Sequence, residues 1–195
     1  MRAFSNWRAY RKLPAEWRGI VFYSESGQDW HYFEALIEEL NGPLDRKVTY
    51  VTSDAADPGL SREHPNFRAL CIPEGWFLTL HFQFQKAGVV VLTMMDLDTL
   101  QLKRSINGVY YIYLFHSMGS THMVDHANSY DAYDSLFCVG PHHVRELRRP
   151  SWPRLRRGDA HRQEREALRE LYLAHVRAGW ERERRPRPGS SEHQP

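Results

Sequence analysis

A doubly wound α/β domain, with a parallel sheet covered by helices on both faces, is the fold class that this sequence predicts. Three observations point to it. Short apolar, β-prone runs recur through the middle of the chain without polar alternation, as strands buried on both faces do. Segments with apolar residues at helical spacing lie between those runs. Turn-forming clusters such as Asn41-Gly42-Pro43 and Pro58-Gly59 keep the two kinds of segment apart.

Each element has its own justification. Residues 19–23, Gly-Ile-Val-Phe-Tyr, form a first strand that ends in the polar loop Ser24-Glu25-Ser26-Gly27-Gln28. Residues 29–40 place Trp30, Phe33, Leu36, Ile37 and Leu40 on one helical face, with Asp29 as the expected N-cap. Residues 47–52 and 67–72 are a second and a third strand, and 74–85 an aromatic helix. Residues 89–94, 109–115 and 135–139 supply strands four to six, with a short helical segment expected near 122–128. The end of the chain behaves differently. Residues 159–185 form a highly charged helix whose narrow stripe (Leu168, Leu171, Tyr172, His175 or Val176) is expected to pack little, and 184–195 are expected to be disordered.

Charge divides the 195-residue chain into three parts: +4 over residues 1–18, −8 over 19–144 and +6 over 145–195. An acidic centre between basic ends argues against a nucleic-acid-binding core, whose working face would be basic. The basic start bears Phe4, Trp7, Tyr10 and Trp17. It reads either as an amphipathic arm on anionic lipid or as a capping helix with solvated arginines. The domains expected are therefore a basic arm over 1–18, an α/β domain over 19–148 and an Arg/Pro-rich tail over 149–195. No apolar run approaches the roughly 20 residues of a membrane-spanning helix, and residues 1–18 lack the apolar centre of a secretory signal. Cys71 and Cys138, the two cysteines, sit in apolar runs and read as buried thiols of a reducing compartment. A cytoplasmic or membrane-surface protein is expected.

In a doubly wound sheet, ligands sit outside the carboxyl ends of the strands, so chemistry is sought after Tyr23, Met94, Phe115 and Val139. No GxGxxG or GxxxxGK[ST] follows the first strand, which disfavours a dinucleotide-binding or P-loop protein. Residues 110–126, YYIYLFHSMGSTHMVDH, are the most informative stretch. An aromatic strand delivers His116 to its carboxyl end, followed by Ser117, Gly119, Ser120, Thr121 and His122. Imidazole titrates close to neutral pH and suits a general base on a hydroxyl, and small neighbours let backbone N–H groups approach a phosphate. The plainer reading is a histidine that caps a strand. Glu25, ending the first strand, is expected on the same edge, where it would orient the imidazole or an acceptor hydroxyl. Asp96 and Asp98 have a spacing used for divalent metals, and His122 and His126 stand at i, i+4; neither pair makes a metal site by itself.

At these residues the chain resembles the CDP-glycerol glycerophosphotransferase family, the teichoic-acid-type polymerases and primases built from two Rossmann-like domains in a GT-B arrangement. The stretches that carry the resemblance are IVFYSESGQDWHYFEALIEEL (20–40), VTYVTSDAADPGL (48–60), LTMMDLDTLQLKRS (92–105), YIYLFHSMGSTHMV (111–124) and YDSLFCVGPHHVREL (133–147). They cover residues 19–148 in the family's order. The resemblance implies one Rossmann-like half of a GT-B enzyme, the acceptor side. There His116 would be the base that lets a polyol hydroxyl attack the β-phosphate of CDP-glycerol or a related CDP-polyol. Glu25, Ser117, Ser120, Thr121 and His122 would line the substrate site. Asp96 and Asp98 would belong to a loop motif, with no metal or other cofactor.

The same resemblance implies a second domain for the CDP-activated donor, where this chain instead runs into Arg-rich sequence. The donor half is expected from a partner chain or to have been lost by truncation. The implied partners are a CDP-polyol donor, a polyol-phosphate or glycan acceptor and an anionic membrane surface, with no nucleic acid. The implied location is the cytoplasmic face of the membrane. Two other readings share the architecture: a non-catalytic acceptor-binding module, and a GT-B glycosyltransferase with another donor.

Overall fold

A computed structural model describes residues 2–95, 97, 98, 102–116 and 130–138, together with 166, 168 and 169. Six strands form one parallel sheet: β1 (Ile20–Ser24), β2 (Val48–Thr52), β3 (Phe67–Cys71), β4 (Val89–Leu92), β5 (Tyr110–Leu114) and β6 (Ser135–Phe137). Their order across the sheet is β3-β2-β1-β4-β5-β6, and every neighbouring pair is parallel. Helices α1 (Arg2–Lys12), α2 (Trp30–Asn41) and α3 (Trp76–Phe84) accompany them. The arrangement is an open, doubly wound, Rossmann-like α/β sheet. All six strands stand where the apolar runs lie, within one or two residues at each end.

The lack of polar alternation has a direct cause. Every residue of β1, β2 and β4 is buried, because the sheet is covered on both faces. Side chains still alternate between faces along each strand. Val21, Tyr23, Val51, Val90, Leu92, Tyr111 and Tyr113 face one core with Leu78 and Phe82 of α3 and Tyr10 of α1. Ile20, Phe22, Val48, Tyr50, Val89, Val91, Ile112 and Leu114 face the other with Phe33, Leu36, Ile37 and Leu40 of α2. Burying each such side chain favours folding by about 1.5–3 kcal/mol. β3, at the sheet's edge, is mostly half-exposed.

Local signals are used as the sequence suggests, with some substitutions. Asp29 stands at the N-cap position of α2, but it is already helical and makes no capping bond. Its place is taken one step earlier, where Ser26 caps the 3-10 turn Gly27–Asp29 that leads straight into α2. α2 stops after Asn41, and the Gly42 N–H donates to the Glu38 carbonyl. Gly75 opens α3 with a φ of 119°, in the left-handed region that glycine adopts without a Cβ clash.

The amino-terminal segment is part of the fold. α1 packs along α3, with Phe4 and Trp7 against Phe77 and the Tyr10 ring 4.4 Å from that of His81. Trp17 is buried too, beneath Arg68 and Lys47. The basic segment is thus a helix packed on the domain, with Arg8, Arg11 and Lys12 exposed. Of the charged carboxyl-terminal stretch, Leu168 is helical, 1% exposed and buried in the core on the α2 side. The other residues of that stripe lie outside the described residues, as do 122–128 and the terminal 184–195. Cys71 and Cys138 are half-buried free thiols, less enclosed than expected, and burial pushes the Cys138 thiol up to about 12. Among the described residues no helix is long and apolar enough to cross a membrane.

Candidate functional site at the carboxyl edge of the sheet

The strand order reverses between β1 and β4, and in open α/β sheets the crevice outside that reversal is where ligands bind. The connections leaving β1, β4 and β5 meet there. His116 is the second residue past β5 and is exposed. Its ring packs on Tyr32, with centroids 5.1 Å apart and planes inclined by 50°. Tyr32 belongs to the first turn of α2 and lies 3.7 Å, ring to ring, from His31. Glu25, the first residue past β1, is exposed on the same edge. Leu92 of β4 pairs with both Tyr23 and Tyr113, so β4 stands between the two strand ends. Two strand spacings separate them, about 10 Å, a span that accommodates a small polyol. Ser117, Ser120, Thr121 and His122 lie outside the described residues.

The loop after β1 is tied down by its own side chains. The buried Ser24 hydroxyl donates to the Ser26 carbonyl at 2.6 Å and to Asp29 at 3.3 Å. The Gly27 N–H donates to Oδ2 of Asp54, in the loop after β2, at 3.0 Å, while the Ala56 N–H donates to Oδ1 at 2.8 Å. These two donors, Ala56 first, hold the Asp54 carboxyl below its ordinary value. A Cβ at Gly27 would come within 3.1–3.2 Å of Asp57, Pro58 and Asp54, so glycine lets the two loops meet. In nucleotide-binding sheets the N–H groups at this helix start face a phosphate. Here the chain's own carboxylate takes that place.

The stretch after β4 rests on an aromatic cluster. The Tyr133 hydroxyl donates to the Met94 carbonyl, and that of Tyr130 reaches the Met95 sulfur at 3.7 Å. Both rings pack on Tyr113, and Tyr130 also meets Phe115. Asp98 has a φ of 70° and closes a tight turn: its carboxylate accepts from the Arg104 N–H, and its carbonyl from the Lys103 ammonium. That use is structural. Asp96 is outside the described residues, and among those described no three His, Cys, Asp or Glu side chains converge as a metal site requires.

The end of the same motif is an anchor at the opposite edge. The Arg104 guanidinium donates to the Ala132 carbonyl and, at 2.9 Å, to Asp134, whose carboxylate also accepts from the Tyr111 N–H. An open depression lined by Arg62, His64 and Phe67 lies at the amino end of β3, remote from His116.

Sequence reasoning named His116 and Glu25 as candidates but not the rings beside His116. Tyr32 was detectable as an aromatic lying off the buried stripe of α2. The bond between Asp54 and Gly27 joins loops 27 residues apart and leaves no mark in either. No family model matches the chain, and no curated protein or solved structure matches it either.

Proposed function

We propose that the chain acts as the acceptor-side half of a CDP-glycerol-type glycerophosphotransferase, at the cytoplasmic face of a membrane, with the activated donor held by a second domain. The observation that carries this reading is His116, exposed at the carboxyl edge beside the strand reversal, within the stretch YIYLFHSMGSTHMV that resembles the family. In the proposed step His116 takes the proton of an acceptor hydroxyl. That oxygen bonds to the β-phosphorus of the donor, the bond from that phosphorus to the bridging oxygen breaks, and CMP leaves. Glu25, across the width of β4, orients the acceptor. Ser117, Ser120, Thr121 and His122 supply polar contacts to acceptor or phosphate. The self-occupied helix start at Gly27 supports the division of labour, because it leaves the nucleotide's phosphates to the other domain. The basic α1 supports work near anionic lipid.

The test is CMP release from CDP-glycerol in the presence of a separately supplied donor domain. His116→Ala is expected to slow release by about 10²–10⁴-fold. An exposed residue past a strand end carries little of the core, so its circular dichroism spectrum and melting temperature should match the parent's. An unchanged rate would make His116 a strand-capping residue and leave a non-catalytic acceptor-binding module. Release only from nucleotide sugars would mean a GT-B glycosyltransferase instead.

A further inference from the structure

The face formed by α1 and α3 is built unlike the rest of the surface. Trp76 and Ile106 are each 73% exposed, and Phe4 and Phe84 more than 40%. Trp76, Leu80 and Phe84 follow one another at i, i+4 and i+8, a stripe about 12 Å long on the outer side of α3. Ile106 joins its end, because its N–H donates to the Gln83 carbonyl. Beside this stripe runs α1, whose sequence contains no acid. Its Arg8, Arg11 and Lys12 are exposed, with Arg8 over Phe4 and Arg11 over Trp7. Lys86, two residues past α3, is exposed, and the exposed Glu74 precedes the helix.

The geometry points to this α1–α3 face as a docking surface for an anionic lipid bilayer. Cations flank protruding apolar side chains, which suits a flat partner with a charged skin and an apolar interior. Trp and Phe are the side chains that seat at the headgroup boundary, and each surface Lys or Arg adds electrostatic attraction to anionic lipid. Leu168, from the carboxyl-terminal segment, packs on the opposite face of the sheet. The inference deepens the proposal of work at a membrane by naming the surface, and it holds whether or not the chain transfers glycerol phosphate.

The experiment is co-sedimentation of the full chain with vesicles of phosphatidylcholine alone or mixed with phosphatidylglycerol, at low and high salt. The parent should bind only the mixed vesicles, and more weakly as salt rises. Trp76→Ala with Ile106→Ala should lower the partition coefficient about tenfold or more, and Arg8→Gln about fivefold. Both variants alter exposed residues, and an unchanged circular dichroism spectrum and melting temperature will show them folded. Brominated lipid should quench the parent's fluorescence more than that of Trp76→Phe. Failure of the parent to bind, or equal binding to both vesicle types, overturns the proposal. If the variants bind like the parent, attachment lies elsewhere on the chain and this face is wrong, while membrane work itself survives. Loss of a self-associated or nucleic-acid-bound state in the Trp76 variant, without lipid binding, would assign the face to that partner.

Discussion

At the scale of single residues, burial decides more than chemical type. His81 is 2% exposed, with Tyr10 edge-on to its ring and Nδ1 unpartnered among the described residues. Burial drives its imidazole down from 6.5 to about 3, so it stays neutral in the fold while the unfolded chain protonates it. The stability it permits is therefore complete above pH 6.5 and is lost as pH falls toward 3, with a slope of about 1.4 kcal/mol per pH unit. Urea unfolding of the parent and of His81→Phe at several pH values between 6.5 and 4 should differ by that slope. Parallel curves would mean that His81 titrates alike in both states. His116, two residues past the apolar strand β5, ends up exposed. Type and spacing identify both as histidines near apolar runs; the packing of α1 on α3 makes one a core ring, while the other stays exposed.

At the scale of elements, the strands were legible because a parallel sheet buried on both faces leaves little room for polar residues. The helix faces were legible from their period. What was not legible is what holds the elements to one another. β6 is only three residues long, and the strand's attachment depends on Asp134 just before it, bonded to Arg104 and to the Tyr111 N–H. Asp134 is 8% exposed, so removing its cation strands a carboxylate with little water. Arg104→Met should destabilise the domain by about 3 kcal/mol, and adding Asp134→Asn should recover part of that loss. Chemical denaturation of the two single variants and the double reads it; strictly additive losses would show that the pair is not coupled. In this fold the use of both residues is architectural.

At the scale of the whole molecule, the acidic and basic parts do not behave as separate bodies. The amino-terminal cations ride on a helix whose Tyr10 fills the core, and Leu168 is buried on the opposite face of the sheet. Charge counting said nothing of this, because a helix rich in solvated cations can still dock through a few apolar side chains, as α1 does through Trp7 and Tyr10. The same docking settles a hazard common to open sheets. Neighbouring residues of a strand turn their backbone groups to alternate sides, and the Ile72 N–H bonds inward to Thr52, so the Cys71 carbonyl points outward from the free side of β3. There the Asn6 amide of α1 donates to it at 2.8 Å. A bare strand side is a template on which a second molecule can add its own strand and begin a fibre. With Asn6 in place the last outward acceptor of β3 is already spoken for. Asn6→Ala should leave the melting temperature within a few degrees of the parent's yet scatter more light in concentrated solution, and clear solutions of that variant would show that the template is blocked elsewhere.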